Sequence, residues 1–249
     1  MRSISGVALA LLVAGGGVMA QPHVNALEAE GQRVLTDDTV SFSERAAWTD
    51  RVDRALGAEH RDGAAGRLAL LWMQGMRRTL AAIPVEATFG THMQPYAAWL
   101  GIREHEVVYN EPGGQWQVAP EPAWTLHERH RRTSSADQLA WEIVENGLPG
   151  ECEGYPPCYL AGFELLHGRY LREHPAGSHA AQAVREIHES LDQIEGLLTS
   201  PAARDFFDPT TDCADLIKGA EPLGKALAAA KVETTATRRA LAKIRDRCR

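Results

Sequence analysis

Four cysteines are the residues whose type and spacing most directly predict chemistry in this chain: Cys152, Cys158, Cys213 and Cys248. An even number of cysteines in an oxidising compartment predicts two disulfide bonds, and four cysteines allow three pairings. We expect Cys152–Cys158 and Cys213–Cys248, because glycine and proline bend the chain between the first two. A zinc site is disfavoured, since five residues separate the first pair and no C-x-x-C pair occurs.

Histidines offer a second kind of chemistry. His127 and His130 are three residues apart in LHERH, so they could share one helix face and hold a metal, although this is not the H-E-x-x-H pattern. The alternative is a partly exposed polar face. His167 and His174 lie two turns apart in a later helix. Since His174 precedes Pro175, we expect it to cap a carbonyl or pack against the turn rather than to bind a ligand.

Carboxylates around the cysteine loop suggest a third chemistry. Glu145, Glu151 and Glu153 flank the first two cysteines, and paired carboxylates are typical of glycoside hydrolases. Three tryptophans could supply a platform for a sugar: Trp116, Trp124 and Trp141. The alternative is that these glutamates are simply solvated beside a turn, because the sequence sets no distance between their carboxylates.

Motifs for other catalytic chemistry are absent from the sequence. There is no G-x-S-x-G, S-x-x-K, G-x-G-x-x-G or P-loop, and Gly113-Gly114 is typical of a hairpin turn. We therefore predict no catalytic residue, no metal and no cofactor. Whether the protein is an enzyme stays open, with a non-enzyme favoured.

The N terminus predicts export. Residues 1–20 combine Arg2, an apolar run over 7–14 and Val18-Met19-Ala20, the pattern of a signal peptide cleaved after Ala20. We expect a periplasmic or secreted protein of 229 residues with no transmembrane segment. Its 25 basic and 33 acidic residues give a net charge of −8, which disfavours nucleic-acid binding.

Apolar periodicity predicts a mainly α protein, with helical hairpins packed as an irregular bundle stapled by the disulfides. Residues 21–40 are polar and mixed, and we expect an extended lead-in. Residues 41–199 form a helical domain whose first helix begins at a capping box, Ser41 with Glu44. A turn is expected at Phe89-Gly90, and a β-hairpin near 105–118. Residues 200–249 form a C-terminal helical segment.

Within the C-terminal segment, we expect a short helix over 212–218 and a second one opened by Pro222. The Cys213–Cys248 bond requires the second helix to break near Val232–Thr235, because an unbroken helix would hold the cysteines too far apart. Residues 225–249 carry eight basic and two acidic side chains. We expect this charge to complement the acidic body, and the alternative is contact with anionic lipid or lipopolysaccharide.

One stretch resembles a known family. In YLAGFELLHGRYLREHPAGSHAAQAVREI, the sequence resembles the tetratricopeptide-type helical hairpins of bacterial envelope proteins, through Tyr170-Leu171, His174-Pro175, Gly177, Ala180 and Ala183. The resemblance covers about 40 residues, and no second copy occurs at a period near 34. The whole chain also resembles exported proteobacterial proteins, which implies no chemistry.

The tetratricopeptide resemblance implies docking of a protein partner on a helical surface in the periplasm. We therefore expect a non-enzymatic protein-interaction module of the cell envelope. The alternative function is a cell-envelope hydrolase that acts on peptidoglycan or another glycan.

Overall fold

The computed structural model describes residues 20–88, 93–201 and 207–248. The predicted signal peptide, apart from Ala20, and the predicted turn at Phe89-Gly90 lie outside these ranges. The elements follow in chain order: α1 (Ala20–Thr36), α2 (Phe42–Ala58), α3 (Asp62–Ala81), a 3-10 turn (Val85–Thr88), α4 (Gln94–Gly101), β1 (Val107–Asn110), β2 (Gln115–Val118), α5 (Pro120–His130), α6 (Ala136–Asn146), α7 (Pro156–Phe163), a π-helical turn (Glu164–Gly168), α8 (Arg169–Glu173), α9 (Ala180–Thr199), α10 (Pro209–Ala229) and α11 (Thr235–Asp246).

The expectation of an extended lead-in over 21–40 is wrong, because most of that range is the helix α1. Val24, Leu27 and Val34 recur at helical spacing and are buried against α2 and α3. The buried guanidinium of Arg45 in α2 donates to the backbone oxygens of Val34, Asp37 and Val40, which anchors the C-terminal end of α1 and the chain after it. Tertiary packing therefore turns a weakly patterned segment into a helix.

Helix α3 is the central element of the N-terminal half, since α1, α2, α5, α6 and β2 all pack on it. Helix α2 begins at the predicted capping box of Ser41 and Glu44. Trp48 is fully buried between α1 and α3, and its Nε1 donates to the Leu27 oxygen at 3.3 Å. Gly75 makes this close approach feasible, because a Cβ there would lie 2.8 Å from the Trp48 ring.

The predicted β-hairpin is confirmed. Strands β1 and β2 pair antiparallel, with Val107 opposite Val118 and Asn110 opposite Gln115. Gly114 has φ +62° in the connecting turn, a conformation that glycine adopts without strain. The inner face of the hairpin packs on α3 through Val118, which is completely buried.

The second half of the chain is a helical hairpin capped by two further helices. The first arm is not one regular α-helix, because a π-helical turn over Glu164–Gly168 separates α7 from α8. Tyr170 and Leu171 in α8 are buried, as are Ala180, Ala183 and Ile187 in α9. Helix α10 covers the first arm, and α11 covers α9.

Both expected disulfides are present, Cys152–Cys158 and Cys213–Cys248. The break needed for the second bond is confirmed, since α10 ends at Ala229 and α11 begins at Thr235. The prediction that Pro222 opens a helix is wrong, because it lies inside α10. Proline removes one helical hydrogen bond there, but Leu216, Leu223 and Leu227 are fully buried and keep the helix continuous.

The structure therefore confirms a mainly α fold with a small β-hairpin and two disulfide staples. Within the described ranges, no helix combines the length and apolar character needed to cross a bilayer.

Candidate functional site

A polar cleft of about 840 Å³ opens between α1, α3, α6 and β2. This volume lies in the usual range for ligand sites. Side chains from the four elements line it: Glu28, Gln32 and Leu35 of α1, Gln74, Arg77 and Arg78 of α3, Gln115, Trp116 and Gln117 of β2, and Glu142, Glu145 and Asn146 of α6. Amide groups are the commonest type among them, so the cleft is rich in groups that both donate and accept hydrogen bonds.

Two carboxylates in the cleft are held by one arginine. Arg77 forms ion pairs with Glu142 and, at 3.2 Å, with Glu145. The other oxygen of Glu142 accepts from Gln74 Nε2 at 2.8 Å, and that of Glu145 accepts from Trp141 Nε1 at 2.9 Å. All four carboxylate oxygens therefore already accept a hydrogen bond from within the protein. This arrangement orients α6 on α3 and leaves neither carboxylate without a partner.

The outer edge of β2 borders the cleft. The backbone N–H of Val118 donates to Asn146 Oδ1 at 3.2 Å, and Asn146 Nδ2 donates to the Val118 oxygen at 2.9 Å. The amide of Asn146 thus bonds the edge of β2 as a neighbouring strand would. Asn146 is the last residue of α6, and the chain can turn away after it because Gly147 has φ +78°.

The same edge continues from Val118 to Trp116. Outward-pointing backbone groups recur every second residue in an antiparallel strand, so the Trp116 N–H and C=O point in the same direction as those of Val118. Gln115 and Gln117 face one side of the hairpin and Trp116 faces the other, yet all three line the cleft. The cleft therefore runs along the edge of β2 rather than over one of its faces.

Two side-chain atoms at this edge are buried without a partner. Trp116 Nε1 and Gln117 Oε1 have no hydrogen-bond partner within the described part of the chain. A buried polar atom without a partner costs about 1–3 kcal/mol. Both atoms lie beneath the surface of the cleft, so a ligand would reach them only after the two side chains turned.

A separate pair of histidines lies between α5 and the end of α8. His127 is completely buried, and its Nε2 lies 2.8 Å from His174 Nε2. Burial lowers the pKa of His127 to about 4 and also lowers the pKa of His174. His127 Nδ1 has no partner among the described residues. An unpaired acceptor is tolerated better than an unpaired donor, so we infer that His127 carries its proton on Nε2 and donates to His174.

A hydrogen-bond network supports this pair from α6. Tyr170 donates to Asp137 Oδ1 at 2.6 Å, and Ser178 donates to Asp137 Oδ2 through both its N–H and its hydroxyl. Burial opposes ionisation of Asp137, but the hydrogen bonds from Ser178 and Tyr170 outweigh it and lower the pKa of that carboxyl. The turn between α8 and α9 is thereby fixed to α6.

The structure places the other candidate residues apart from one another. Glu145 and Trp116 both line the cleft, whereas Glu151 and Glu153 are exposed on the cysteine loop and do not line it. The remaining candidates lie outside the cleft. Trp124 and Trp141 are buried in the core, His130 is half-buried on α5, and His167 contacts Glu186 at 2.7 Å. His174 bonds His127 rather than a backbone carbonyl.

Metal binding finds no support in the described ranges, where no group of three or more histidine, cysteine, aspartate or glutamate side chains could hold an ion. His127 and His130 share α5, but only His127 points to another histidine.

Sequence reasoning missed Arg77, Glu142 and Asn146. Asn146 carries a helix-stop signal, which does not reveal its bonds to a strand 28 residues earlier in the chain. Arg77 and Glu142 have the ordinary appearance of charged helix residues, and only the packing of α3 on α6 joins them. No protein-family model, no curated protein and no solved structure matches this chain.

Proposed function

We propose that this protein is a non-enzymatic interaction module of the cell envelope, and that it binds an extended segment of a partner protein in the cleft beside β2. The observation that carries the proposal is the edge of β2, where Asn146 already bonds Val118 and the Trp116 backbone groups point the same way. An extended peptide would pair with Trp116 and continue the sheet.

The chemistry of the cleft fits a peptide main chain. Peptide groups offer one donor and one acceptor per residue, which matches the amide side chains of Gln32, Gln74 and Gln115. A polar, uncharged segment would therefore find a partner for most of its groups.

We place the protein in the cell envelope because of its predicted signal peptide and its two disulfides. Disulfides form and persist in oxidising compartments such as the periplasm and the extracellular space. The prediction and the disulfides both favour a protein that works outside the cytoplasm.

The second candidate function is a glycan hydrolase, which is favoured by the presence of Glu145 and Trp116 in the lining of one cleft. A hydrolase of the usual kind needs one carboxylic acid and one available carboxylate beside the scissile bond. Glu142 and Glu145 both pair with Arg77, and all four of their oxygens already accept a hydrogen bond. The interaction module is therefore the better supported function.

The test uses binders selected from a library of random peptides displayed on phage, with the full-length mature protein as target. Each selected peptide is then resynthesised with an N-methyl group at one residue at a time. Asn146 already bonds the outward groups of Val118, so the peptide can donate one N–H to the outward carbonyl of Trp116, and we expect methylation to abolish binding at a single residue. Uniform tolerance of methylation would refute pairing with β2.

A matched pair of variants tests the role of the β2 edge. Trp116→Ala and Trp116→Pro both remove the indole, but only proline also removes the outward-pointing N–H. We expect Trp116→Pro to bind the selected peptides about tenfold more weakly than Trp116→Ala, the effect of one lost hydrogen bond. Equal affinities of the two variants would contradict the proposal, provided that both keep the circular dichroism spectrum of the unmodified protein.

Release of sugar from peptidoglycan is the readout for the alternative. If the purified protein cleaved peptidoglycan and Glu145→Gln abolished that cleavage, the hydrolase would replace the interaction module.

A further inference from the structure

A second groove, of about 880 Å³, lies between α10 and α11 and shares no lining residue with the cleft. Each helix presents one face to it, with residues spaced three and four apart. The residues of α10 are Glu221, Gly224, Lys225 and Ala228, and those of α11 are Thr235, Arg238, Arg239, Leu241, Ala242 and Arg245.

The charge of this groove is opposite to that of the chain. Four cations and one carboxylate line it, which gives a local net charge of +3, whereas the chain as a whole carries −7. Lys225 pairs with Glu221 at 2.9 Å, so the single carboxylate already has a partner. Arg238, Arg239 and Arg245 form no ion pair with any carboxylate in the described ranges.

Two carboxylates lie near these arginines without an ion pair to them: the pKa of Glu221 is lowered by its bond to Lys225 and also by Arg245, and that of Glu233 by its bonds to Thr235 and also by Arg239. Glu233 accepts from the Thr235 backbone N–H, and Glu195 pairs with Arg247 outside the groove. The sequence-based expectation that the basic segment complements the acidic body therefore applies to Arg247 and leaves the arginines of the groove available.

The floor of the groove is apolar. Leu241 is buried beneath it, and Gly224, Ala228 and Ala242 leave space between the helices because their side chains are small or absent. The Cys213–Cys248 bond joins the start of α10 to the chain just after α11 and holds the two helices together. The groove is therefore a braced channel with a cationic rim and an apolar floor.

We propose that this groove binds the anionic headgroup of a membrane phospholipid. Guanidinium groups bind phosphate oxygens through two parallel hydrogen bonds, so the arginines suit a phosphodiester. The apolar floor suits the first carbons of the acyl chains, which a soluble phosphate lacks. This contact would place the protein at a lipid surface and is independent of peptide binding in the cleft.

The test is sedimentation of the full-length mature protein with vesicles of phosphatidylglycerol and phosphatidylcholine in equal parts, against vesicles of phosphatidylcholine alone. We expect binding to the anionic vesicles only. Each arginine near an anionic surface contributes about fivefold, so combined Arg238→Gln, Arg239→Gln and Arg245→Gln should weaken binding roughly 100-fold.

The matched control removes three cations outside the groove: Lys218→Gln, Lys231→Gln and Lys243→Gln. It has the same net charge as the groove variant, and we expect its affinity to stay within about threefold of the unmodified protein. Equal losses in both variants would refute a groove and indicate attraction by net charge. Absence of binding to anionic vesicles, or displacement from them by millimolar inorganic pyrophosphate, would overturn the lipid assignment.

Discussion

Replacing His127 by leucine removes a buried titratable group whose protonation should destabilise the fold in mild acid. Burial lowers the pKa of His127 from 6.5 to about 4, so the folded state binds fewer protons than the unfolded state below pH 6.5. The free energy of unfolding must then fall as the pH falls, and this loss ends once the pH drops below the folded-state pKa.

The size of the effect follows from the two pKa values. Proton linkage with 6.5 for the unfolded chain and about 4 for the folded protein predicts that His127 alone removes about 2 kcal/mol of stability between about pH 7.5 and pH 5. His174 acts in the same direction, because burial lowers its pKa too. The leucine variant keeps an apolar side chain of similar volume at the fully buried position and lacks the titration.

The assay is urea denaturation followed by circular dichroism at several pH values in this range. The unmodified protein should lose about 2 kcal/mol more stability than His127→Leu when the pH is lowered from about 7.5 to 5. His105→Leu is the control, because it replaces an exposed histidine and leaves the pair of His127 and His174 intact. Parallel stability curves for the unmodified protein and His127→Leu would show that our account of this histidine is wrong.

Three further changes test the packing of the second half. Tyr170→Phe removes a hydroxyl that both donates and accepts hydrogen bonds, and urea denaturation should show a loss of about 1–3 kcal/mol. Combined Cys213→Ser and Cys248→Ser opens a loop with a sequence separation of 35, which should cost about 4 kcal/mol, measured as a lower urea midpoint. Gly177→Ala places a methyl group against the Tyr170 hydroxyl and should destabilise the protein by about 1–3 kcal/mol. Gly196→Ala meets open space in α9 and should stabilise the protein by up to about 1 kcal/mol. Thermal denaturation measures both, and midpoint temperatures that moved in the same direction would contradict this account.

Local signals in the sequence predicted many of the helices and the hairpin. The capping box at Ser41 begins α2, Asn146 ends α6, and the glycines after Asn110 connect β1 to β2. These signals succeed because capping and turn chemistry act between residues that are close in the chain. The break between α10 and α11 was predicted from a distance constraint, since a continuous helix could not have joined Cys213 to Cys248.

Other elements depended on packing and were predicted wrongly. The larger apolar residues of helix α1 are Val24, Leu27, Val34 and Leu35. The helix is also stabilised by Trp48 and Arg45, which bind its backbone from α2. Pro222 carries the signal of a helix start, but buried leucines on both sides keep α10 unbroken. In both cases tertiary contacts outweigh the local propensity of the chain.

The features of this protein fall into two groups: those that the sequence predicts and those that depend on tertiary contacts. The amino-acid sequence alone favoured the cysteine pairing that forms, predicted where most helices begin and end, and determined that basic residues gather near the C terminus. Only the tertiary structure decided that Asn146 bonds the edge of β2, that Arg77 holds two glutamates, and that His127 meets His174 at a separation of 47 residues. The physical reason is that each of these contacts is made between different helices or strands, so it depends on the angle and register at which they pack, and no local pattern encodes those quantities.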